Sequence, residues 1–446
     1  MIFQITTVNL INTIIIAMGI GICTMCFIHI STSSNLQKDI KRYFTLILPG
    51  LILNMGAHLA RQIMEGQPGN IVRTILYILP CIEGVASCGT AYLMSLLLLS
   101  MSMPKAKAKK ISLILHILFA THSIAVIIGS ATNFPFFFDE NNMYHRGVGY
   151  NLYNVIPVVM LVLGMVILII YGKNINNRVR ISFWTYLVAP VIAIIIQSFS
   201  YGIQYIIFAT TASSVFMYFV ILKNQTETYE KQTKSISHMQ NGLIMVLADL
   251  VESRDKCTGD HIKKTAEYAR VIMNQLKKDG VYANELTDEY IEDVVRSAPL
   301  HDIGKIHISD TILNKPGKLS EEEFEIMKTH TIYGREIMEN AISTVKGENY
   351  LKEARNMAAY HHERWDGKGY PEGLHGEVIP LSARIMAVAD VFDALTSPRV
   401  YKPAFSLEKA LESLKEESGK QFDPKCVEVF IDSLTDIKRI LQKYNG

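Results

Sequence analysis

The residues best suited to chemistry in this sequence are histidines and aspartates in its second half. His301 and Asp302 are adjacent in HDIGK, and Lys305 follows them by one helical turn. His361 and His362 are adjacent in HHERWDGKGYP, which is uncommon in a protein core because each imidazole needs a polar partner once it leaves water. Three further potential ligands lie in other segments of this half: His261, His330 and Asp390.

These side chains indicate a centre for divalent metal ions. Five histidines and two aspartates are too many ligands for one tetrahedral ion, but about right for two ions that share Asp302. Imidazole with carboxylate suits iron, manganese or zinc, whereas sites made only of oxygen suit magnesium or calcium. A water that bridges two such ions becomes hydroxide near neutral pH. We therefore predict two divalent ions, iron or manganese first, with zinc as the alternative.

The segments that carry these ligands have apolar residues at helical spacing. The second half shows no sustained alternation with a period of two, so we predict that it is all-α. His261 should begin a helix with Thr258 or Asp260 as its cap, while His330 and His361 should end two others. Helices are expected near residues 260–278, 286–300, 320–340, 349–361, 380–396, 406–418 and 424–442.

The first half has a different composition. The chain is 49% hydrophobic and only 19% charged, and the apolar excess ends at Leu222. We predict a transmembrane sensor region at 1–222, a linker helix at 223–242 and the ligand-bearing domain at 243–446. Seven segments approach the roughly 20 apolar residues that span a bilayer. They lie at about 8–30, 44–64, 71–101, 111–133, 150–172, 181–200 and 203–222.

Basic residues concentrate in alternate loops of the first half. By the positive-inside rule these loops lie in the cytoplasm, which places the N-terminus outside and, after seven crossings, Lys223 inside. We therefore predict a multi-pass protein of the cytoplasmic (inner) membrane with a cytoplasmic catalytic domain. The ten basic residues of the inner loops are Lys38, Lys41, Arg42, Lys105, Lys107, Lys109, Lys110, Lys173, Arg178 and Arg180.

Two other observations limit the classes of binding partner that are expected. Glu83 lies within a predicted span, where an ionisable group is costly, so it serves either a ligand cavity or a structural hydrogen bond between helices. The net charge of +2 argues against a large surface for nucleic acid.

The linker has the pattern of a coiled coil. No proline occurs between Lys223 and Arg254, and side chains recur with alternating steps of four and three. We predict a continuous helix that pairs in a homodimer. The alternative is that residues 243–250 pack on their own domain. The seam consists of Tyr229, Thr233, Ile236, Gln240, Leu243, Leu247 and Leu250.

The motifs HDIGK, HHERWDGKGYP and ADVFDALTSPRVYK resemble the signature of the HD-GYP phosphodiesterases, a branch of the HD metal-dependent phosphohydrolases. The resemblance extends from about residue 243 to 436 and includes KPGKLSEEE and QFDP. It implies a cyclic-di-GMP phosphodiesterase that opens its substrate to linear pGpG, with GMP as a further product. Two alternatives stay open: a hydrolase of another dinucleotide such as 3′,3′-cyclic GMP-AMP, and a catalytically silent receptor. All seven expected ligands are present, which disfavours the silent receptor.

The resemblance also implies how the metals are held. Asp302 would be shared between both ions, and Lys305 would face the scissile phosphate or the attacking hydroxide as a second catalytic residue. Cys257 occupies the place where some family members have a glutamate that binds a third metal, so two metals are expected. One ion would be held by His261, His301, Asp302 and Asp390, and the other by Asp302, His330, His361 and His362.

The substrate contacts implied by the resemblance lie in two loops. Arg399 and Lys402 would contact the phosphates or guanine edges of the dinucleotide, together with Lys305. Two residues near these motifs have simpler explanations: Arg364 is expected to be a surface or ion-pair arginine, and Asp393 is expected to orient Lys305. The pocket wall would be shaped by Asp366, Gly369, Tyr370 and Pro371.

Overall fold

Long apolar helices make up the first half of the chain. The computed structural model describes residues 7–33, 36–199, 204–255, 260–345, 349–397 and 404–445. Within them, seven helices are long and apolar enough to span a membrane, as predicted. The helices of this half are α1 (Thr7–Thr32), α2 (Lys38–Met64), α3 (Asn70–Ser102), α4 (Lys105–Ala131), the short α5 (Tyr150–Tyr153), α6 (Val155–Tyr171), α7 (Asn177–Phe199) and α8 (Tyr205–Glu252).

Helix packing in this half buries one side of each helix and leaves apolar side chains on the other. Phe44, Leu48 and Met217 are fully or almost fully buried in its core. Ile127 and Ile169 are 60% and 66% exposed, as expected of side chains that face lipid. A small antiparallel hairpin, β1 (Phe136–Phe138) with β2 (Tyr144–Arg146), joins α4 to α5.

The chain divides into two units, Met1–Gln232 and Thr233–Gly446. The division falls inside the predicted linker of residues 223–242. Among its described residues the second unit contains helices and loops but no β-strand, which confirms the predicted all-α fold. Its helices after α8 are α9 (His261–Lys278), α10 (Asp288–Ser297), α11 (Asp310–Leu313), α12 (Glu321–Thr344), α13 (Asn349–Tyr360), α14 (Leu381–Thr396), α15 (Leu407–Glu416), α16 (Pro424–Asp432) and α17 (Leu434–Asn445).

Local signals in the sequence account for several of these helix starts. In KPGKLSEEE, Ser320 accepts a hydrogen bond from the Glu323 backbone, and the Glu323 side chain accepts one from the Ser320 backbone. This capping box begins α12. Asp260 precedes α9 as predicted, but its side chain makes no capping hydrogen bond. Thr258, the other predicted cap, lies outside the described residues.

Two predicted helix boundaries are wrong. His330 lies in the interior of α12, which continues to Thr344 because apolar residues such as Met338 keep the helical spacing. The predicted helix at 424–442 is two helices, which meet at Ser433.

A buried aromatic cluster holds α9, α14 and α16 together. The ring of Phe392 lies 5.2 Å from that of Tyr268 and 4.7 Å from that of Phe430. All three side chains are fully buried. This packing fixes the helices that carry His261 and Asp390.

The heptad seam of α8 is exposed where it enters the second unit. Leu243, Leu247 and Leu250 are 57%, 54% and 61% exposed. The residues that pack on the domain are their neighbours Ile244 and Val251, both buried. Residues 243–250 therefore pack on their own domain through Ile244, as the alternative predicted, while the three seam leucines stay exposed.

Candidate metal centre

The seven predicted metal ligands come from five separate elements. A 3₁₀ turn, Ala298–Leu300, leads directly into His301 and Asp302. His261 is the first residue of α9, His330 lies within α12 and Asp390 within α14. His361 and His362 follow the last residue of α13. Because these elements are far apart in sequence, only the folded domain can bring the ligands together.

The structure brings all seven ligands into two groups. Within each group the potential ligand atoms lie within 4.8 Å of one another. These groups correspond to the two predicted ligand sets, with Asp302 placed in the second. They are His261, His301 and Asp390 in one, and Asp302, His330, His361 and His362 in the other.

The carboxylate of Asp302 lies between the groups. Its Oδ2 atom is 3.4 Å from Nε2 of His301, which belongs to the first group. Its Oδ1 atom is 3.5 Å from Nε2 of His330 and 3.6 Å from Nε2 of His361, which belong to the second. One carboxylate therefore presents a separate oxygen to each group, as a shared ligand must.

The imidazoles are oriented for metal binding. The Nδ1 atoms of His301, His330 and His361 lie 2.9, 2.7 and 2.7 Å from backbone carbonyl oxygens. A carbonyl can only accept, so each Nδ1 carries the proton and each Nε2 keeps a free lone pair. These three Nε2 atoms and Oδ1 of Asp302 are buried without a hydrogen-bond partner among the described residues. Buried acceptors without donors fit a cation at this point.

His261 is oriented differently from the other histidines. Its Nδ1 atom lies 2.7 Å from Oδ2 of Asp393, which is 1% exposed. Asp393 also forms an ion pair with Lys264 at 2.8 Å. The prediction that Asp393 orients Lys305 is therefore wrong: the carboxylate lies on α14 and faces α9, where it contacts His261 and Lys264.

The charges around Asp302 keep it ionised. Burial alone would raise its pKa, but the ammonium of Lys305 and the surrounding imidazoles hold the pKa well below the usual range of a carboxyl group. The Nζ atom of Lys305 lies 2.8 Å from Oδ2 of Asp302. Burial lowers the pKa of His361 to about 3, so that imidazole is neutral at physiological pH, the state that binds metals.

Glu252 lies at the edge of the first group, where no motif predicts it. Its Oε1 atom is 3.9 Å from Nε2 of His261, and both carboxylate oxygens are buried without a hydrogen-bond partner among the described residues. Burial raises its pKa to about 7. The only sequence signal is a carboxylate at the end of an apolar helical stretch, ADLVE, close to the first histidine.

Gly304 permits the close approach of HDIGK to α12. A Cβ atom at this position would lie 1.9 Å from the carbonyl oxygen of His330 and 2.5 Å from the backbone nitrogen of Gly334. Contacts this short involve backbone atoms that cannot rotate away. The glycine therefore lets Asp302 reach His330.

The GYP loop lies beside the second ligand group. The ring of Tyr370 is 4.9 Å from that of His362, and the Tyr370–Pro371 peptide bond is cis. Gly369 is required because a Cβ there would lie 2.4 Å from the backbone nitrogen of Arg364. Of the predicted pocket residues, Tyr370 thus lies beside His362, and Gly369 lets the loop pack against the Arg364 backbone.

Asp366 has a role inside the same loop. Its carboxylate accepts hydrogen bonds from the Arg364 side chain and from the Lys368 backbone, each at 3.1 Å. Arg364 also forms an ion pair with Glu417 at 3.3 Å, so the prediction of an ion-paired arginine is confirmed. Arg399, Lys402 and Cys257 lie outside the described residues.

Comparison with known proteins agrees with these motifs. Residues 245–426 match the family model described as "HD domain". A cyclic di-GMP phosphodiesterase of Vibrio cholerae is 46% identical over 212 residues, which is 47% of this chain and 43% of that protein. A cyclic di-GMP phosphodiesterase of Thermotoga maritima is 40% identical over 200 residues, 44% of this chain and 51% of that protein.

A relative with another specificity is similar over a comparable length. The 3′3′-cGAMP-specific phosphodiesterase 2 of Vibrio cholerae is 40% identical over 190 residues, 43% of this chain and 34% of that protein. The chain thus spans about half or less of the length of these curated relatives. Residues 245–426 thus match an HD domain, and the motifs HDIGK and HHERWDGKGYP within them resemble those of the HD-GYP type.

Proposed function

We propose that this protein is a membrane-bound, metal-dependent phosphodiesterase of cyclic dinucleotides, with cyclic-di-GMP as its substrate and linear pGpG as its product. Continued hydrolysis of pGpG would yield GMP. The observation that carries the proposal is the position of Asp302 between two groups of imidazole and carboxylate ligands. The Nζ atom of Lys305 lies 2.8 Å from Oδ2 of this aspartate. The curated relatives of the HD-GYP domain support the substrate class.

The described residues fit two divalent ions, for which iron or manganese suits the mixture of imidazole and carboxylate, with zinc as the alternative. His261, His301, Asp302 and Asp390 would hold one ion, and Asp302, His330, His361 and His362 the other. Such ions lower the pKa of bound water and polarise phosphoryl oxygens. The carboxylate of Asp393 forms a hydrogen bond with Nδ1 of His261. Asp393 would therefore hold the imidazole with the Nε2 lone pair towards the ions.

The side chains around the ions would bind and orient the dinucleotide. Lys305 presents an ammonium beside Asp302, where it would stabilise negative charge that develops on the phosphoryl oxygens. Tyr370 would form the wall of the pocket beside His362. Arg399 and Lys402 would grip the phosphates or guanine edges that do not react.

A second substrate has a specific observation in its favour. The relative that is specific for 3′3′-cGAMP is 40% identical to this chain over 190 residues. Both dinucleotides have the same phosphodiester chemistry and differ only in one base. The motifs do not discriminate between them, so the choice rests on pocket residues outside the motifs.

The membrane half would act as a sensor for the domain. Its seven apolar helices support a place in the cytoplasmic membrane, and the basic loops support an outside N-terminus. The exposed leucines of the α8 seam support a homodimer, because 54% to 61% exposure of a row of leucines is unfavourable in water. A signal in the bundle would then reach the domain along paired α8 helices.

The test uses the full-length protein in lipid nanodiscs, loaded with Fe(II) or Mn(II) under anaerobic conditions. Cyclic-di-GMP and 3′,3′-cyclic GMP-AMP are supplied separately, and the products are separated by chromatography. We expect pGpG from the first and a slower reaction with the second. Faster hydrolysis of 3′,3′-cyclic GMP-AMP would reassign the substrate. Tight binding of either without hydrolysis would favour the silent receptor.

A further inference from the structure

A cavity of about 310 Å³ lies among the helices of the first unit. The residues that line it come from the start of α1, the second half of α2, the first half of α3 and the ends of α7 and α8 that face each other. The β1–β2 hairpin contributes Phe136, Tyr144 and Arg146. All these segments lie at the side of the bundle opposite the basic loops, which is the outer side in the predicted orientation.

Charges of both signs line this cavity. Arg61 on α2 donates a hydrogen bond from Nε to Oε1 of Glu83 on α3 at 2.8 Å. Nδ1 of His58 lies 3.2 Å from the other carboxylate oxygen of Glu83. The side chains of Arg61 and Glu83 are only 12% and 18% exposed. Glu83 therefore joins two helices through hydrogen bonds, which confirms the structural reading, and it also lines the cavity.

Two carboxamides in the same wall have unused hydrogen-bonding capacity. Asn54 is 6% exposed, lines the cavity, and has no side-chain hydrogen bond to any described residue. Oε1 of Gln62 is buried and also has no partner among the described residues. A buried amide without a partner is unfavourable, so it indicates a group that the cavity receives from outside.

We propose that this cavity binds a small zwitterionic solute of the free amino acid class. An ammonium would be attracted to Glu83 and a carboxylate to Arg61, while the amides of Asn54 and Gln62 would hydrogen-bond the polar part of the solute. The volume is at the lower end of the range of about 300–1,000 Å³ that is typical of small-molecule sites. A cavity with charges of both signs favours a zwitterion over a simple anion or cation.

The test is a binding measurement on the full-length protein in lipid nanodiscs, without nucleotide. Equilibrium dialysis with radiolabelled L-amino acids is compared with sucrose and inorganic phosphate. We expect saturable binding of at least one amino acid, at one per chain, and none of sucrose or phosphate. Because hydrolysis is not measured, the result is independent of the proposed phosphodiesterase activity.

Substitutions locate the site. Asn54→Leu keeps the volume of the side chain and removes only the unpartnered amide, so thermal unfolding of the protein should change little. Affinity for the amino acid should fall by about tenfold or more, the consequence of losing one buried hydrogen bond. Gln62→Leu provides a second variant if the first does not fold. Asn141→Leu, an exposed residue outside the cavity, is the matched control and should bind normally.

Three results would overturn the proposal. They are the absence of binding by every L-amino acid, equal binding of sucrose or phosphate, and unchanged affinity in both folded cavity variants.

Discussion

Asp302 presents one carboxylate oxygen to His301 and the other to His330 and His361. Asp302→Ala should therefore remove a ligand from both ions, whereas His330→Ala removes a ligand from only one. We expect the aspartate variant to lose more metal than the histidine variant and to lose hydrolysis completely. Metal per chain is measured by inductively coupled plasma mass spectrometry. Full metal content in Asp302→Ala would rule out a shared ligand.

Lys305 and the two basic residues of the PRVYK motif should affect different kinetic constants. Lys305 lies beside Asp302, where charge would develop in the transition state of the proposed reaction, so Lys305→Ala should lower kcat by about 100-fold or more. Arg399→Ala and Lys402→Ala should mainly raise KM, because they would contact parts of the substrate that change little during the reaction.

Saturation kinetics and bound metal are measured for all three of these variants. Metal content should stay normal, since none of the three side chains is a proposed ligand. Full kcat in Lys305→Ala together with a lost kcat in Arg399→Ala would reverse the assigned roles.

Among the elements, a second 3₁₀ turn, Ile303–His307, follows Asp302 and packs on α12 through Gly304. Gly304→Ala should force HDIGK away from α12 and lower the free energy of unfolding by about 1–3 kcal/mol. The second ligand group should also bind less metal. Gly242→Ala is the matched control, because a Cβ there meets nothing within 4 Å and alanine favours the interior of a helix. Thermal unfolding and metal content are measured on both. Normal metal content in Gly304→Ala would show that the close approach is dispensable.

The sequence predicted those features that depend on residues close together in the chain. Helical spacing predicted α9 and α14, and the residue types of HDIGK and HHERWDGKGYP predicted the ligands that the structure groups together. The sequence did not predict contacts between residues that are brought together only by the folding of the domain. Asp393 contacts His261 across 132 positions, and Glu252 reaches the centre only because of how α8 packs. Neither contact has a spacing that a sequence pattern could reveal.

For the whole molecule, the basic loops predict the direction in which the chain crosses the membrane. A reporter fused after residue 108 should be active only if it works in the cytoplasm, and one fused after residue 140 only if it works outside. Residue 108 lies in the basic segment that begins α4, and residue 140 lies in the turn of the β1–β2 hairpin. Alkaline phosphatase and green fluorescent protein report the two sides. The reverse pattern would place the HD domain outside the cell, away from cyclic dinucleotides.

The central claim is that bound metal at the two ligand groups makes this protein a hydrolase of cyclic dinucleotides. The most direct measurement titrates metal-free, full-length protein in nanodiscs with Mn(II) or Fe(II) and follows pGpG formation from cyclic-di-GMP. We predict no product without metal, and a rate that rises until about two ions are bound per chain. Undiminished hydrolysis by the metal-free protein would contradict the account. So would a chain loaded with two ions that hydrolyses neither cyclic-di-GMP nor 3′,3′-cyclic GMP-AMP.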